Sequence, residues 1–291
     1  MTIITQSIAV VSSEVNTHLN WFQGLILGLV QGVTEFLPIS STAHLKVVPV
    51  VLGWGDPGVS FTAIIQLGSI AAVLWYFWAD LSQLAQGSWQ AYQQKNWQGH
   101  DFRVTLGILI GTVPIIICGL GIKVFIEDFD RSPLRSLPAI AIVSIVMAIL
   151  LGVAERWGRR RKTFEELTMK DGILMGFAQA LALVPGVSRS GSTLTAGLFQ
   201  GLQRAAAARF SFLLGIPAIT IAGLVELKDL LDTQISAEEW IPILMGLISA
   251  TLFSYLSIAW LLRYLQTQNT LVFVIYRLAF GIAIGIYVWQ F

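Results

Sequence analysis

Charge is what this chain has least of. Only 12% of its 291 residues are Asp, Glu, Lys or Arg, about half the share usual in soluble domains. There are three histidines, at 18, 44 and 100, and one cysteine, Cys118. A lone cysteine excludes an internal disulfide framework, and Cys118, set in an apolar run, is expected to pack as a small hydrophobe. The 18 basic and 17 acidic residues leave a formal charge of +1, so there is no broad basic face of the kind that holds nucleic acid. Residues 1–20 lack a basic start and a well-placed small-residue cleavage site, so they read as an N-terminal extension and not as a removable signal.

Apolar sequence is abundant: 55% of residues are hydrophobic and the mean hydropathy is +0.72. Runs long enough to cross a bilayer, about 20 residues each, fall near 61–79, 104–124, 137–154, 209–228, 240–263 and 271–290. Two shorter runs, 22–37 and 172–184, are each broken by Pro-containing polar sequence before a second short apolar piece. Non-helical backbone at membrane depth is tolerated where it is buried in protein or lines a cavity, so such breaks point to a site. The expected fold is an all-α integral membrane protein with six transmembrane helices and two re-entrant broken-helix segments. It forms a single membrane domain over residues 21–291.

The two broken segments resemble each other. Gly24-Leu-Ile-Leu-Gly28-Leu-Val-Gln31 lies over Gly172-Ile-Leu-Met-Gly176-Phe-Ala-Gln179 at an offset of 148, which also sets Ser40 over Ser188. Gly-x-x-x-Gly alone recurs in membrane helices for close packing, but four matched positions at one offset favour a repeat. Three spans follow each copy, so the halves are expected to insert with opposite orientation: a first repeat at about 21–154, a basic linker at 155–171 and a second repeat at about 172–291. The cluster Glu155-Arg-Trp-Gly-Arg159-Arg-Arg-Lys162 places the linker in the cytoplasm by the positive-inside rule. The acidic loop Asp229–Glu239 then lies outside. Trp54, Trp75, Trp78, Trp240 and Trp289 near span ends suit interfacial anchors.

The chemistry-bearing residues are confined to the two breaks. Gln31 and Glu35 share one helical face, Pro38 ends that helix, and Ser40, Ser41, Thr42 and His44 open the next. Free N–H groups at a helix start attract anions, although simple N-capping by the hydroxyls accounts for the same pattern. A lone histidine is commonly a satisfied core residue; His44 beside Glu35 is read as functional. The second cluster, Pro185-Gly-Val-Ser188-Arg189-Ser190-Gly-Ser-Thr193, offers close-approach glycines, four hydroxyls and one permanent planar cation. That inventory suits a phosphate. Arg189 snorkelling from a polar turn competes with it, but the apolar flanks hold Arg189 below the surface, where a charge needs a partner.

Gln31-x-x-x-Glu35 followed by Phe-Leu-Pro-x-Ser-Ser-Thr-x-His, and the Pro-Gly-x-Ser-Arg-Ser-x-x-Thr run, closely resemble the undecaprenyl-diphosphate phosphatase, or bacitracin-resistance, family. The likeness extends over nearly the whole chain, including Gln66-Leu-Gly68-Ser69 and Tyr276-Arg277. It implies removal of the terminal phosphate from undecaprenyl diphosphate, a C55 isoprenoid lipid, to recycle the carrier for peptidoglycan synthesis, with bacitracin resistance as a consequence. It also implies a divalent cation, Mg²⁺ or Ca²⁺, a multi-pass place in the bacterial inner membrane, and a site open toward the periplasm. Carried over, Glu35 is the acid and metal ligand, Ser41 the nucleophile or hydroxyl donor, His44 the base and Arg189 the diphosphate clamp. Gln31, Ser40, Thr42, Ser188, Ser190 and Thr193 would bind substrate.

Many members have a carboxylate where this chain has Gln31, and an amide is neither a base nor a strong ligand for a hard cation. The expected mechanism has Glu35 and the cation on the phosphates while His44 activates Ser41, or a water. A carrier or lipid flippase shares the architecture but needs no base. The type-2 phosphatidic-acid phosphatases need a histidine after the Ser-Arg motif, and this chain has none beyond residue 100. Arg277, inside the last span, is expected to snorkel, or to pair with Glu226 or a bound anion. The oligomeric state, including a homo-oligomer, is left open.

Overall fold

A computed structural model describes residues 19–126, 132–231 and 240–290, and every regular element among them is helical. In order these are α1 (Trp21–Phe36), α2 (Ser41–Val51), α3 (Val59–Tyr76), α4 (Trp78–Gln93), α5 (His100–Phe125), α6 (Leu137–Trp157), α7 (Met169–Ala180), α8 (Arg189–Phe199), α9 (Arg204–Leu231), α10 (Trp240–Thr267) and α11 (Leu271–Gln290), with 3₁₀ turns at Pro133–Arg135 and Leu181–Leu183. Most of the N-terminal extension, the Glu226 side chain and residues 232–239 of the acidic loop lie outside the described residues.

Among the described residues five helices, α5, α6, α9, α10 and α11, are long and apolar enough to cross a membrane. The chain is therefore a multi-pass membrane protein. The run at 61–79 differs from expectation: it breaks at Phe77, and α3 and α4 meet at 62°, making a sixth span only if the bent pair is counted as one. The sequence changes character there. α3 is mainly apolar, with Gln66 and Ser69 as polar positions within it, whereas Asp80, Ser82, Gln83 and Gln86 make α4 more polar, as suits a segment at a membrane interface. Trp75, Trp78, Trp240 and Trp289 are exposed. Cys118 is exposed as well, contrary to the expected packing. α5 touches its neighbours through its first half, at Val104, Gly107, Ile108 and Gly111, and turns its second half outward.

The broken segments match in structure as they do in sequence. Asn20 with Gln23 forms a capping box before α1, and Thr168 with Asp171 forms one before α7. The offset of 148 maps the first onto the second, α2 onto α8 end for end, and Ser40 (φ 76°) onto Ser188 (φ 72°). Both serines stand in the left-handed region that L-residues rarely occupy, a strain characteristic of functional loops.

Glycine sets how closely these segments are held. α1 lies on α10 so tightly that a Cβ at Gly28 would stand 2.2 Å from the Gly246 carbonyl oxygen, and α7 lies on α5 with a Cβ at Gly176 2.2 Å from that of Gly111. Small-residue contacts of this type drive helix association where no hydrophobic effect operates. Gly176→Ala should cost about 1–3 kcal/mol through overpacking and lower the melting temperature in detergent. Gly121→Ala, with nothing within 4 Å, should not; equal melting of the two variants would refute the crossing.

At the basic linker, Glu155 gathers Arg204 (Nε at 3.0 Å), Arg160 (2.8 Å) and the Thr270 hydroxyl (2.8 Å). Lys162 pairs with Asp171. Part of the basic cluster thus ties α6, α7, α9 and the turn before α11 together.

Candidate active site

The break after α1 and the break before α8 meet at Glu35. Its Oε2 accepts from the Ser41 hydroxyl at 2.6 Å and from Gln31 Nε2 at 3.1 Å. Its Oε1 faces Arg189 Nη2 at 3.4 Å, both side chains being only about a tenth exposed, at 10% and 9%. Gln31 also donates to Ser69 Oγ (3.3 Å), which accepts from Ser254 (2.9 Å). One carboxylate thus joins a hydroxyl and an amide from the first segment to a guanidinium from the second. A charge pair at this depth persists because each member offsets the other's desolvation.

Arg189 has capacity to spare. Its Nε and Nη1 are buried without a hydrogen-bond partner among the described residues, although buried donors are almost always satisfied. The guanidinium lies against α9, where a Cβ at Gly215 would fall 1.4 Å from Nη1. An acceptor with several oxygens, such as a phosphate, is what these donors lack.

His44 is placed differently from expectation. Its Nδ1 faces the Ser40 carbonyl at 2.7 Å and its Nε2 the Tyr276 hydroxyl at 2.6 Å, with the ring stacked on Phe280 at 4.3 Å. A carbonyl only accepts, which assigns the ring proton to Nδ1 and makes Nε2 the acceptor for Tyr276. Both nitrogens are thereby committed, and Ser41 donates to Glu35 and not to His44. The ring holds the strained carbonyl of Ser40 in place.

The remaining expected residues divide. Ser188 caps α8, accepting from the Gly191 amide at 3.1 Å, while the equivalent Ser40 side chain makes no cap. Ser190 donates to the Leu37 carbonyl at 2.9 Å, linking the two breaks. Thr193 is wholly buried with its hydroxyl on the Arg189 carbonyl (2.7 Å) and Ser211, so it supports the loop. Thr42 is exposed. Four contributors were not read from sequence in the part they play here: Ser69, Gly215 and Tyr276, which were given no role, and Arg277, which was expected to snorkel or to pair with an anion. The first, third and fourth lie in the matched motifs, which was the one signal available; Gly215 had none. Gln179, the counterpart of Gln31, is fully buried with neither amide atom partnered among the described residues.

No group of three or more His, Cys, Asp or Glu able to hold a metal occurs among the described residues. Glu35 is the carboxylate at this junction. That donor set suits a cation held by one carboxylate plus substrate phosphates, as Mg²⁺ commonly is, and does not suit an all-protein cage.

Comparison with known proteins gives a consistent result. The family model for bacitracin resistance protein BacA matches residues 24–283. An undecaprenyl-diphosphatase from a Nostoc species is 66% identical over 267 residues, 92% of this chain and 83% of that protein. Those of a Synechocystis species and of Synechococcus elongatus are 61% and 62% identical, covering 91% and 94% of this chain and 82% and 94% of theirs.

Proposed function

Because the chain belongs to the bacitracin-resistance family, whose relatives are undecaprenyl-diphosphatases, we propose that the junction at Glu35 removes the terminal phosphate from undecaprenyl diphosphate. The product, undecaprenyl phosphate, is the lipid carrier for cell-wall synthesis. The observation that carries this reading is Arg189, a buried cation with two donors unpartnered among the described residues, beside a carboxylate already bonded to a hydroxyl.

Phosphoanhydride cleavage needs charge neutralised on the phosphate oxygens and a nucleophile held in line. Arg189 supplies a fork of donors, and the amides at the start of α8 add their dipole. Glu35 takes the proton from Ser41 as Ser41 Oγ forms a bond to the terminal phosphorus. The bond from that phosphorus to the bridging oxygen breaks, and undecaprenyl phosphate leaves. Water then releases inorganic phosphate from the serine; in the direct route, water replaces Ser41 in the first step. Gln31 holds Glu35 and donates to it, and cannot itself act as a base. Mg²⁺ or Ca²⁺ held by Glu35 and the substrate would supply further charge neutralisation.

The matched segments, with three spans after each when the bent α3–α4 pair is counted as one, support an inverted-topology repeat. The basic linker supports a cytoplasmic position for residues 155–171. α2, the start of α6 and the end of α11 then face the outer leaflet of the inner membrane. They line an apolar cavity of about 200 Å³ formed by Val47, Val51, Leu137, Phe280, Ile284 and Tyr287. Phe280 separates it from His44, a suitable wall for the isoprenoid chain.

Ser41→Ala separates the two routes. Loss of about 10²-fold or more in kcat supports the covalent route, full turnover overturns it, and a chelator should suppress wild-type turnover until Mg²⁺ or Ca²⁺ is restored.

A further inference from the structure

A helix broken inside a membrane leaves its last carbonyls without partners, at a cost of several kcal/mol each in hydrocarbon. Two such breaks face each other here, and one side chain from a third element serves both. Arg277, in α11, is 1% exposed and donates from Nη1 to the Pro38 carbonyl (3.1 Å) and the Val187 carbonyl (3.0 Å), and from Nη2 to that of Gly186 (2.7 Å). Its Nε approaches the Ser144 carbonyl on α6 at 3.4 Å. Among the described residues it meets carbonyl oxygens and no carboxylate. Buried in this way it does not snorkel, and among the described residues it sits in no ion pair.

We infer that Arg277 is a positioning residue for the reaction, fixing the break at Pro38 against the break at Gly186 and Val187 so that Glu35 and Ser41 meet Arg189. It acts through backbone oxygens and touches none of the reacting groups. Pro38 lies two residues before strained Ser40, and Val187 lies one before strained Ser188, so both serines are held from the same guanidinium. The Ser190 hydroxyl on the Leu37 carbonyl is the second tie between the breaks. Planarity is what the role requires, because a fork can reach three carbonyls in fixed directions and an ammonium cannot. Gly191 leaves the room: a Cβ there would lie 2.9 Å from Arg277 Nη1 and 3.1 Å from the Ser188 Cβ.

The inference rests on the junction being a diphosphatase centre, and the test separates the two. Wild type, Arg277→Lys and Gly191→Ala are purified in detergent, checked for monodispersity and melting temperature, and assayed for kcat and KM on a long-chain isoprenoid diphosphate. Misplacing reacting groups by about an ångström costs on the order of 10²-fold. Arg277→Lys should therefore lose about that much in kcat with a much smaller change in KM, although its charge is kept. Gly191→Ala, which removes no donor and adds a good helix former, should lose about tenfold in kcat at a melting temperature near wild type, and it carries the test if Arg277→Lys does not fold.

Combining Arg277→Lys with Ser190→Ala should give less than the product of the two losses, since both ties fix one geometry. Lysine restoring wild-type kcat would reduce Arg277 to a simple charge. Wild-type kcat at a lowered melting temperature would reduce it to a stability element; either result overturns the inference. Absence of phosphate release from folded wild type would instead overturn the functional reading.

Discussion

Arg189→Ala should reduce phosphate release from an isoprenoid diphosphate by about a thousand-fold or more, while the protein stays folded and monodisperse. The size follows from what is removed. A planar donor set aimed at transferring phosphate oxygens is worth on the order of 10²–10³ per oxyanion contact and more for an arginine on a phosphoryl group. The loss should fall on kcat and KM together, because the same donors hold the diphosphate before and during transfer. Arg189→Lys should recover only a small part, since an ammonium keeps the charge and loses the fork. Gly215→Ala would place a Cβ 1.4 Å from Nη1 of the same guanidinium, and should lower kcat by displacing Arg189. Turnover by Arg189→Ala within tenfold of wild type would show that the diphosphate binds elsewhere.

Glu35→Gln should be equally damaging for a different reason. The substitution keeps the shape and the possibility of a hydrogen bond to Ser41, which lies 2.6 Å from Oε2. It removes the proton acceptor and the countercharge of Arg189 at 3.4 Å. Breaking a buried pair from one side leaves an uncompensated charge, at about 3–5 kcal/mol, and loss of the base adds about 10²-fold or more in rate. Glu35→Gln should thus show both a lower melting temperature and a kcat reduced by about a thousand-fold, whereas Gln31→Ala, which removes a supporting donor, should keep measurable turnover. Circular dichroism with a phosphate-release assay checks both. Activity of Glu35→Gln near that of wild type would remove Glu35 from the mechanism.

Much of this arrangement was legible in the residues because a membrane interior makes polar groups conspicuous. Gln31, Glu35 and Arg189 stand out against apolar flanks, and their meeting follows from two breaks at matched positions. The repeat was visible as four residues at one offset; the capping boxes of Asn20 with Gln23 and Thr168 with Asp171 extend it, and the paired positive-φ serines add a feature that no side-chain identity announces. The bend at Phe77 was hidden because hydropathy stays high through Trp78, and polarity rises only at Asp80. Cys118 was misplaced because apolar sequence does not distinguish lipid-facing from buried positions when lipid is the solvent.

The partners of His44 and Arg277 were not legible either. Both depend on backbone carbonyls, whose directions are set by loop conformation and leave no pattern in the sequence. His44 was read by its chemical capacity as a base for Ser41, whereas the Ser40 carbonyl and the Tyr276 hydroxyl take both ring nitrogens. Arg277 was read by its charge, as a residue that snorkels or pairs with Glu226 or a bound anion, whereas the breaks needed a donor of several hydrogen bonds.

The most direct test of a diphosphatase centre shared between the two breaks is inorganic phosphate released from a long-chain isoprenoid diphosphate by purified wild type, Glu35→Gln and Arg189→Ala, one residue from each segment. One phosphate per lipid is expected from wild type and release near background from both variants. Wild-type rates from either variant, or an intact lipid diphosphate after incubation with folded wild type, would contradict it.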